Sequence, residues 1–144
     1  MTDASQAIFE RAAERAKQMG LPYAGAVTPA EANALREAGA ATLVDVRTEP
    51  EYRQVGHVPG TSLIVWPRDG DEASLGAFVA AFKQAHAPDT PLLLLCRSGS
   101  RSHYAAHLLT HAGYTRAYNI LEGFEGPPGS GRGWLAAGLP AEKG

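Results

Sequence analysis

Pro91-Leu92-Leu93-Leu94-Leu95-Cys96-Arg97-Ser98-Gly99-Ser100-Arg101-Ser102 is the stretch on which the reading of this chain turns. Four consecutive leucines leave no polar face. A run that short and that apolar predicts a strand buried on both sides, the central one of a parallel sheet. The residues after it must turn the chain from strand to helix. A helix is predicted over Ser102–Ala112, stopped by Gly113. Gly99 gives the turn its conformational freedom, and the small Ser98 and Ser100 crowd it little. Such a loop aims successive backbone N–H groups inward at a helix N-terminus, which makes a nest for an anion. The chain's single cysteine stands at its mouth.

The same alternation extends in both directions. Upstream, Ala41–Val46 reads as a short buried strand, Glu49–Gln54 as one or two helical turns, and Ser62–Val65 as a strand closed by Trp66-Pro67. Leu75–His86 has Leu75, Phe78, Val79 and Phe82 on one side of a helix. Downstream, Ala117–Ile120 is a further strand. This pattern predicts an α/β fold, a small mostly parallel sheet flanked by helices on both faces. Thr28-Pro29-Ala30-Glu31 is a capping box that opens a helix running to about Ala38. Before it, Ile8, Phe9, Ala12, Ala16 and Met19 recur at helical spacing over 5–19. The expected division is an N-terminal helical arm over 1–24 and one α/β domain over 25–144. Gly126–Gly133 is too rich in Gly and Pro for regular structure and reads as a surface loop or flap. Gly133–Ala137 reads as a last helical turn carrying Trp134 and Leu135.

Bulk composition narrows the function. At 144 residues, 44% hydrophobic and 19% charged, the chain suits one globular domain. A formal charge of -2 and the lack of a Lys/Arg stripe argue against nucleic acid as a partner. No stretch has the length of a membrane span. The first residues lack a basic n-region, so the expected location is the cytoplasm. A lone cysteine excludes an internal disulfide, an intramolecular resolving thiol and a multi-cysteine zinc site.

What remains is an inert buried thiol or a reactive one, and the surroundings favour the second. N–H dipoles and the helix terminus favour thiolate over thiol, as do Arg97 and Arg101 if their side chains turn inward. The same cradle, Arg97, Ser98, Gly99, Ser100, Arg101 and Ser102, would hold an oxyanion or the negative charge of a persulfide.

At this point the motifs resemble the rhodanese-like family over about residues 25–140. Leu43-Val44-Asp45-Val46-Arg47 with Glu51-Tyr52 resembles its first-strand signature, and Gly56-His57-Val58-Pro59-Gly60 its N-terminal motif. Cys96 to Ser102 is similar to its active-site loop. Gly113-Tyr114, Leu121-Glu122-Gly123, Trp134 and Gly138-Leu139-Pro140 follow the pattern of its last third. The resemblance implies a thiosulfate sulfurtransferase: Cys96 takes sulfane sulfur from a small anionic donor such as thiosulfate and passes it to a thiol or protein acceptor. It implies no metal and no organic cofactor. Two features depart from the pattern, the Gly/Pro loop before Trp134 and the N-terminal helix.

Other residues take humbler readings. Asp45 and Arg47 end a strand beside the Cys96 strand, where they brace the active-site loop, or Arg47 pairs with Glu51 or Glu49. His57 is expected to bond backbone in a turn. His103, His107 and His111 recur every fourth residue, but two such steps spread the outer pair about 12 Å along the helix, too far for one ion. Trp66 and Tyr104 are aromatic candidates for the rim of the site.

Two rival functions follow from the same residues. A Cys-dependent phosphatase or arsenate reductase would need a wider cradle, with five residues between cysteine and arginine. Only four separate Cys96 from Arg101. A non-enzymatic sulfur-relay or regulatory binding module is the second rival, set against an intact cysteine and loop.

Overall fold

The computed structural model describes residues 3–144. Its centre is a five-stranded, all-parallel sheet: β1 (Gly25–Val27), β2 (Thr42–Asp45), β3 (Ser62–Leu63), β4 (Leu92–Leu95) and β5 (Ala117–Ile120), in the spatial order β1-β5-β4-β2-β3. The leucine run is the middle strand. Leu92 to Leu95 pair with Thr42 to Asp45 on one side, and Leu92 to Leu94 with Ala117 to Asn119 on the other.

Successive residues of a strand face opposite sides, and the core divides accordingly. Leu43, Leu93, Leu95, Tyr118 and Ile120 face α1 (Asp3–Met19) and α2 (Pro29–Glu37), together with Phe124 and Trp134. Val44, Leu92, Leu94, Cys96 and Ala117 face α3 (Glu72–Ala85) and α4 (Ser100–His111) through Phe78, Phe82, Ala105, Ala106 and Leu109. Helices therefore cover both faces, as the alternation predicts.

The capping box at Thr28 forms with both its bonds, Thr28 Oγ1 accepting from Glu31 N and Glu31 accepting from Thr28 N. Asp71 caps α3, so that helix starts at Glu72, a turn before the expected Leu75. α4 starts at Ser100 rather than Ser102, inside the cysteine loop.

Other elements differ from the expectation. Gly25–Val27, given no element from sequence, is an edge strand paired with β5. Glu51–Val55 winds as one wide π-type turn. Residues 133–137 form turns rather than regular helix, although Trp134 is fully buried and its indole N–H donates to Pro140 O at 2.8 Å. The strand expected over Ser62–Val65 is regular only at its first two residues. Ile64 and Trp66 still donate to Asp45 and Val46 along β2.

Candidate active site

Cys96 directly follows β4, at the carboxyl end of the sheet where open α/β folds place their ligands. Its side chain sits at the floor of the loop, 1% exposed. The Gly99 amide donates to Sγ at 3.1 Å, with Gly99 held at φ 100°, a left-handed conformation. Sγ also lies 3.2 Å from Ser102 Oγ. Ser102 Oγ in turn donates to Asn119 Oδ1 at 2.5 Å, and Asn119 Nδ2 donates back to Gly99 O at 3.2 Å. Ser102 and Asn119 are both buried. A closed ring of polar contacts thus ties the cysteine, the loop glycine, the first turn of α4 and β5 together.

The segment after β5 holds the loop from the other side. Phe124 N donates to Cys96 O at 2.8 Å, and Glu125 N and Gly126 N donate to Arg97 O at 2.9 and 3.1 Å. Gly123 has to be glycine: a Cβ there would stand 2.6 Å from the Cys96 and Arg97 carbonyl oxygens, and its φ is 66°. The Gly/Pro loop begins at Gly126 and closes on itself, with Gly133 packed so that its Cβ would fall 2.6 Å from Gly126 N. Residues 127–132 between them are exposed.

Both loop arginines meet carboxylates. Arg101 makes a two-pronged contact with Glu51, at 2.8 and 2.9 Å. That guanidinium, aided by hydrogen bonds from Thr48, holds the Glu51 carboxyl at about 2 despite its partial burial. Glu51 in turn raises the Arg101 pKa, and the charge of Cys96 adds a smaller push in the same direction. Arg97 is half exposed, with Nε 3.4 Å from Glu125 Oε2.

Arg47 does not pair with Glu51 or Glu49. It is wholly buried and bound to Asp45, with NH2 at 2.7 Å from Oδ2, and it donates to Gly56 O at 2.7 Å. Its guanidinium lies 4.2 Å from the centre of the Phe124 ring, so it props the residue whose amide holds Cys96 O. Asp45 and Arg47 therefore reach the loop through Phe124 and do not touch Cys96 directly. His57 Nδ1 meets Tyr52 O at 2.9 Å, the backbone bond expected of a turn histidine, and its ring stacks on Tyr52.

Of the helical histidines, His103 Nδ1 contacts Tyr23 OH at 2.8 Å, while His107 and His111 are exposed. Trp66 and Tyr104 line, with Leu75 and Leu108, an apolar recess of about 370 Å³ whose lining includes no residue of the Cys96 loop.

Sequence reasoning brought together the cysteine, its loop and the strand–helix context. It missed Asn119 and Glu125, and of its alternatives for Arg47 the pairing with Glu51 or Glu49 does not occur, Glu51 being held by Arg101. A polar residue within the otherwise buried run Ala117-Tyr118-Asn119-Ile120 was the available signal for Asn119.

The Rhodanese-like domain model matches residues 28–126. An uncharacterized Rickettsia prowazekii protein, RP600, is 36% identical over 103 residues, spanning 69% of this chain and 81% of that one. The thiosulfate sulfurtransferase GlpE of Pseudomonas fluorescens is 32% identical over 99 residues, spanning 69% of this chain and 80% of its own. Among solved structures, Rv0390 from M. tuberculosis superposes with a TM-score of 0.72 at 38% identity, covering 85% of this chain and 99% of that one.

Proposed function

The chain belongs to the rhodanese-like family, and from that premise we propose that it is a sulfurtransferase working through a persulfide on Cys96. The observation that carries this reading is the cysteine's setting: a sulfur at a helix N-terminus, bonded by a backbone amide and framed by a serine hydroxyl. Relatives named as thiosulfate sulfurtransferases support it.

The chemistry balances without a cofactor. Cys96 thiolate attacks the outer sulfur of a donor such as thiosulfate, the S–S bond breaks, and sulfite leaves with the electron pair. The product is Cys96–S–S⁻. A thiophilic acceptor, cyanide in the assay and a thiol or partner protein in the cell, then attacks the terminal sulfur and returns Cys96 as thiolate. The Gly99 amide stabilises negative charge on sulfur in both states. Ser102 can rotate its proton from Asn119 toward Sγ as that charge forms. Arg97, Ser98, Ser100 and Arg101 form the walls through which donor and acceptor approach. Among the described residues no helix is long and apolar enough to cross a membrane. A reducing compartment such as the cytoplasm suits a mechanism that must keep one thiol free.

Incubation with thiosulfate is expected to add the mass of one sulfur atom to the intact protein, and cyanide to remove it. Cys96→Ser should gain nothing. A serine variant that still takes up the sulfur would overturn the assignment.

One observation favours a second reading, a regulatory binding module without turnover: Cys96 is 1% exposed, and buried structural thiols are inert. Under that reading the native protein stays unloaded by thiosulfate, and a thiol alkylating reagent modifies Cys96 only after denaturation.

A further inference from the structure

The loop that should attract an anionic donor has its positive charges already answered. Arg101 is held by both oxygens of Glu51, and Arg97 lies against Glu125. The third arginine near the site, Arg47, is buried and spent on Asp45. Against the two loop guanidinium groups stand the carboxylates of Glu51 and Glu125. Attraction for a donor's negative charge is then left to the backbone amides, which stabilise one charge on sulfur and have no counter-ion for a second.

We infer that Glu51 and Glu125 are specificity-determining residues: by holding Arg101 and Arg97, they set the site against dianionic donors and toward sulfane sulfur carried with a single negative charge. The inference rests on the sulfurtransferase reading and names the donor class for it. Thiosulfate, a dianion, is the poorer donor. A monoanionic carrier, a thiosulfonate or a small thiol persulfide, is the better one. The reaction keeps its balance with either. Cys96 thiolate attacks the outer sulfur of RSO₂–S⁻, the S–S bond breaks, and the sulfinate RSO₂⁻ leaves with the electron pair, giving Cys96–S–S⁻. With the persulfide anion RS–S⁻, Cys96 thiolate attacks the terminal sulfur, the S–S bond breaks, and RS⁻ leaves with the electron pair, again giving Cys96–S–S⁻.

The test compares methanethiosulfonate with thiosulfate, which offer the same outer sulfur beside sulfonyl oxygens and differ by one charge. Cyanide is the acceptor for both. Intrinsic donor reactivity cancels when the ratio of their kcat/KM values is compared between wild type and variant. In the double variant Glu51→Gln, Glu125→Gln the freed guanidinium groups should shift this ratio about tenfold toward thiosulfate, mainly through a lower KM for it, with each single variant between. A ratio unchanged within about twofold in a folded double variant overturns the inference.

Should the variants fail to fold, the wild type supplies an independent measurement. Raising ionic strength from about 0.02 to 0.2 M should leave the thiosulfate KM flat or lower it, because no net positive field is being screened. A KM that climbs steeply with salt overturns the inference. If neither donor places sulfur on Cys96, the sulfurtransferase reading itself fails, and this inference with it. That result is distinct from normal loading with an unshifted ratio.

Discussion

Among single residues, Arg47 is a charge held wholly inside the protein. It and Asp45 are both wholly shielded from water, two bonds from Arg47 NH2 tie Asp45 and the Gly56 carbonyl, and the cation rests on Phe124. A buried charge left without its partner typically destabilises by about 3–5 kcal/mol, much of it desolvation of the orphan. Arg47→Met should therefore lower the urea midpoint strongly, while a second change, Asp45→Leu, should recover a large part of the loss. The single variant should also load sulfur more slowly, since Phe124 holds the Cys96 carbonyl. At this scale the sequence was legible where a residue acts through its own neighbours in the chain. Cys96, Gly99 and the loop's serines were read from one continuous segment. Glu51, Glu125 and Asn119 reach the loop from 50, 28 and 17 residues away from their partners, and single-sequence spacing holds no record of such meetings.

The elements followed their sequence signals wherever a cap or an apolar period marked them. The Thr28 capping box and the leucine strand formed as read. β1 had no such signal: it is three residues long, buried throughout, and becomes a strand only because β5 pairs with it. Its position is set by α1, which packs directly on it. Ile8, Phe9 and Ala12 belong to the same core cluster as Val27, Leu93 and Leu95, so the N-terminal helix shares the core of the sheet. The fit between the two elements is closest at Gly25, where a Cβ would stand 2.7 Å from the Ala12 carbonyl carbon and oxygen. Gly25→Ala should thus push α1 away from the sheet. Overpacking of this kind costs about 1–3 kcal/mol, visible as a lower thermal midpoint. The assayed sulfur transfer should change little, because β1 lies at the sheet edge, separated from β4 by β5.

Across the whole molecule, the ion pairs of Glu51 and Glu31 link parts distant in sequence. Glu51 joins the turn after β2 to the start of α4 through Arg101. Glu31 joins α2 to α1 through Arg15 and Arg11. Burial pushes the Glu31 carboxyl up, but hydrogen bonds from Arg15, the Thr28 backbone and Arg11 prevail and hold it at about 2, where Glu51 also lies. Both carboxyls thus ionise more readily folded than unfolded. Their stabilisation is complete above the ordinary value of 4.5 and is lost as pH falls toward 2. The double variant Glu31→Gln, Glu51→Gln should be less stable at neutral pH and lose less stability between these limits. Urea midpoints measured against pH check both effects. An unaltered acid slope would mean that other carboxylates dominate. Fold class was legible at this scale because burial on both faces of the leucine run admits few architectures besides a helix-covered parallel sheet.

The closed neck at Gly126 and Gly133 has a practical consequence. Because the chain leaves and re-enters at nearly the same point, the six residues between can be lengthened or replaced while the core stays in register, each doubling of their length adding only about 0.6 kcal/mol of closure entropy. The neck is bonded to the Arg97 carbonyl, so a dye or affinity tag grafted there would hang one residue beyond Cys96. It would make an optical handle on sulfur loading that occupies none of the site.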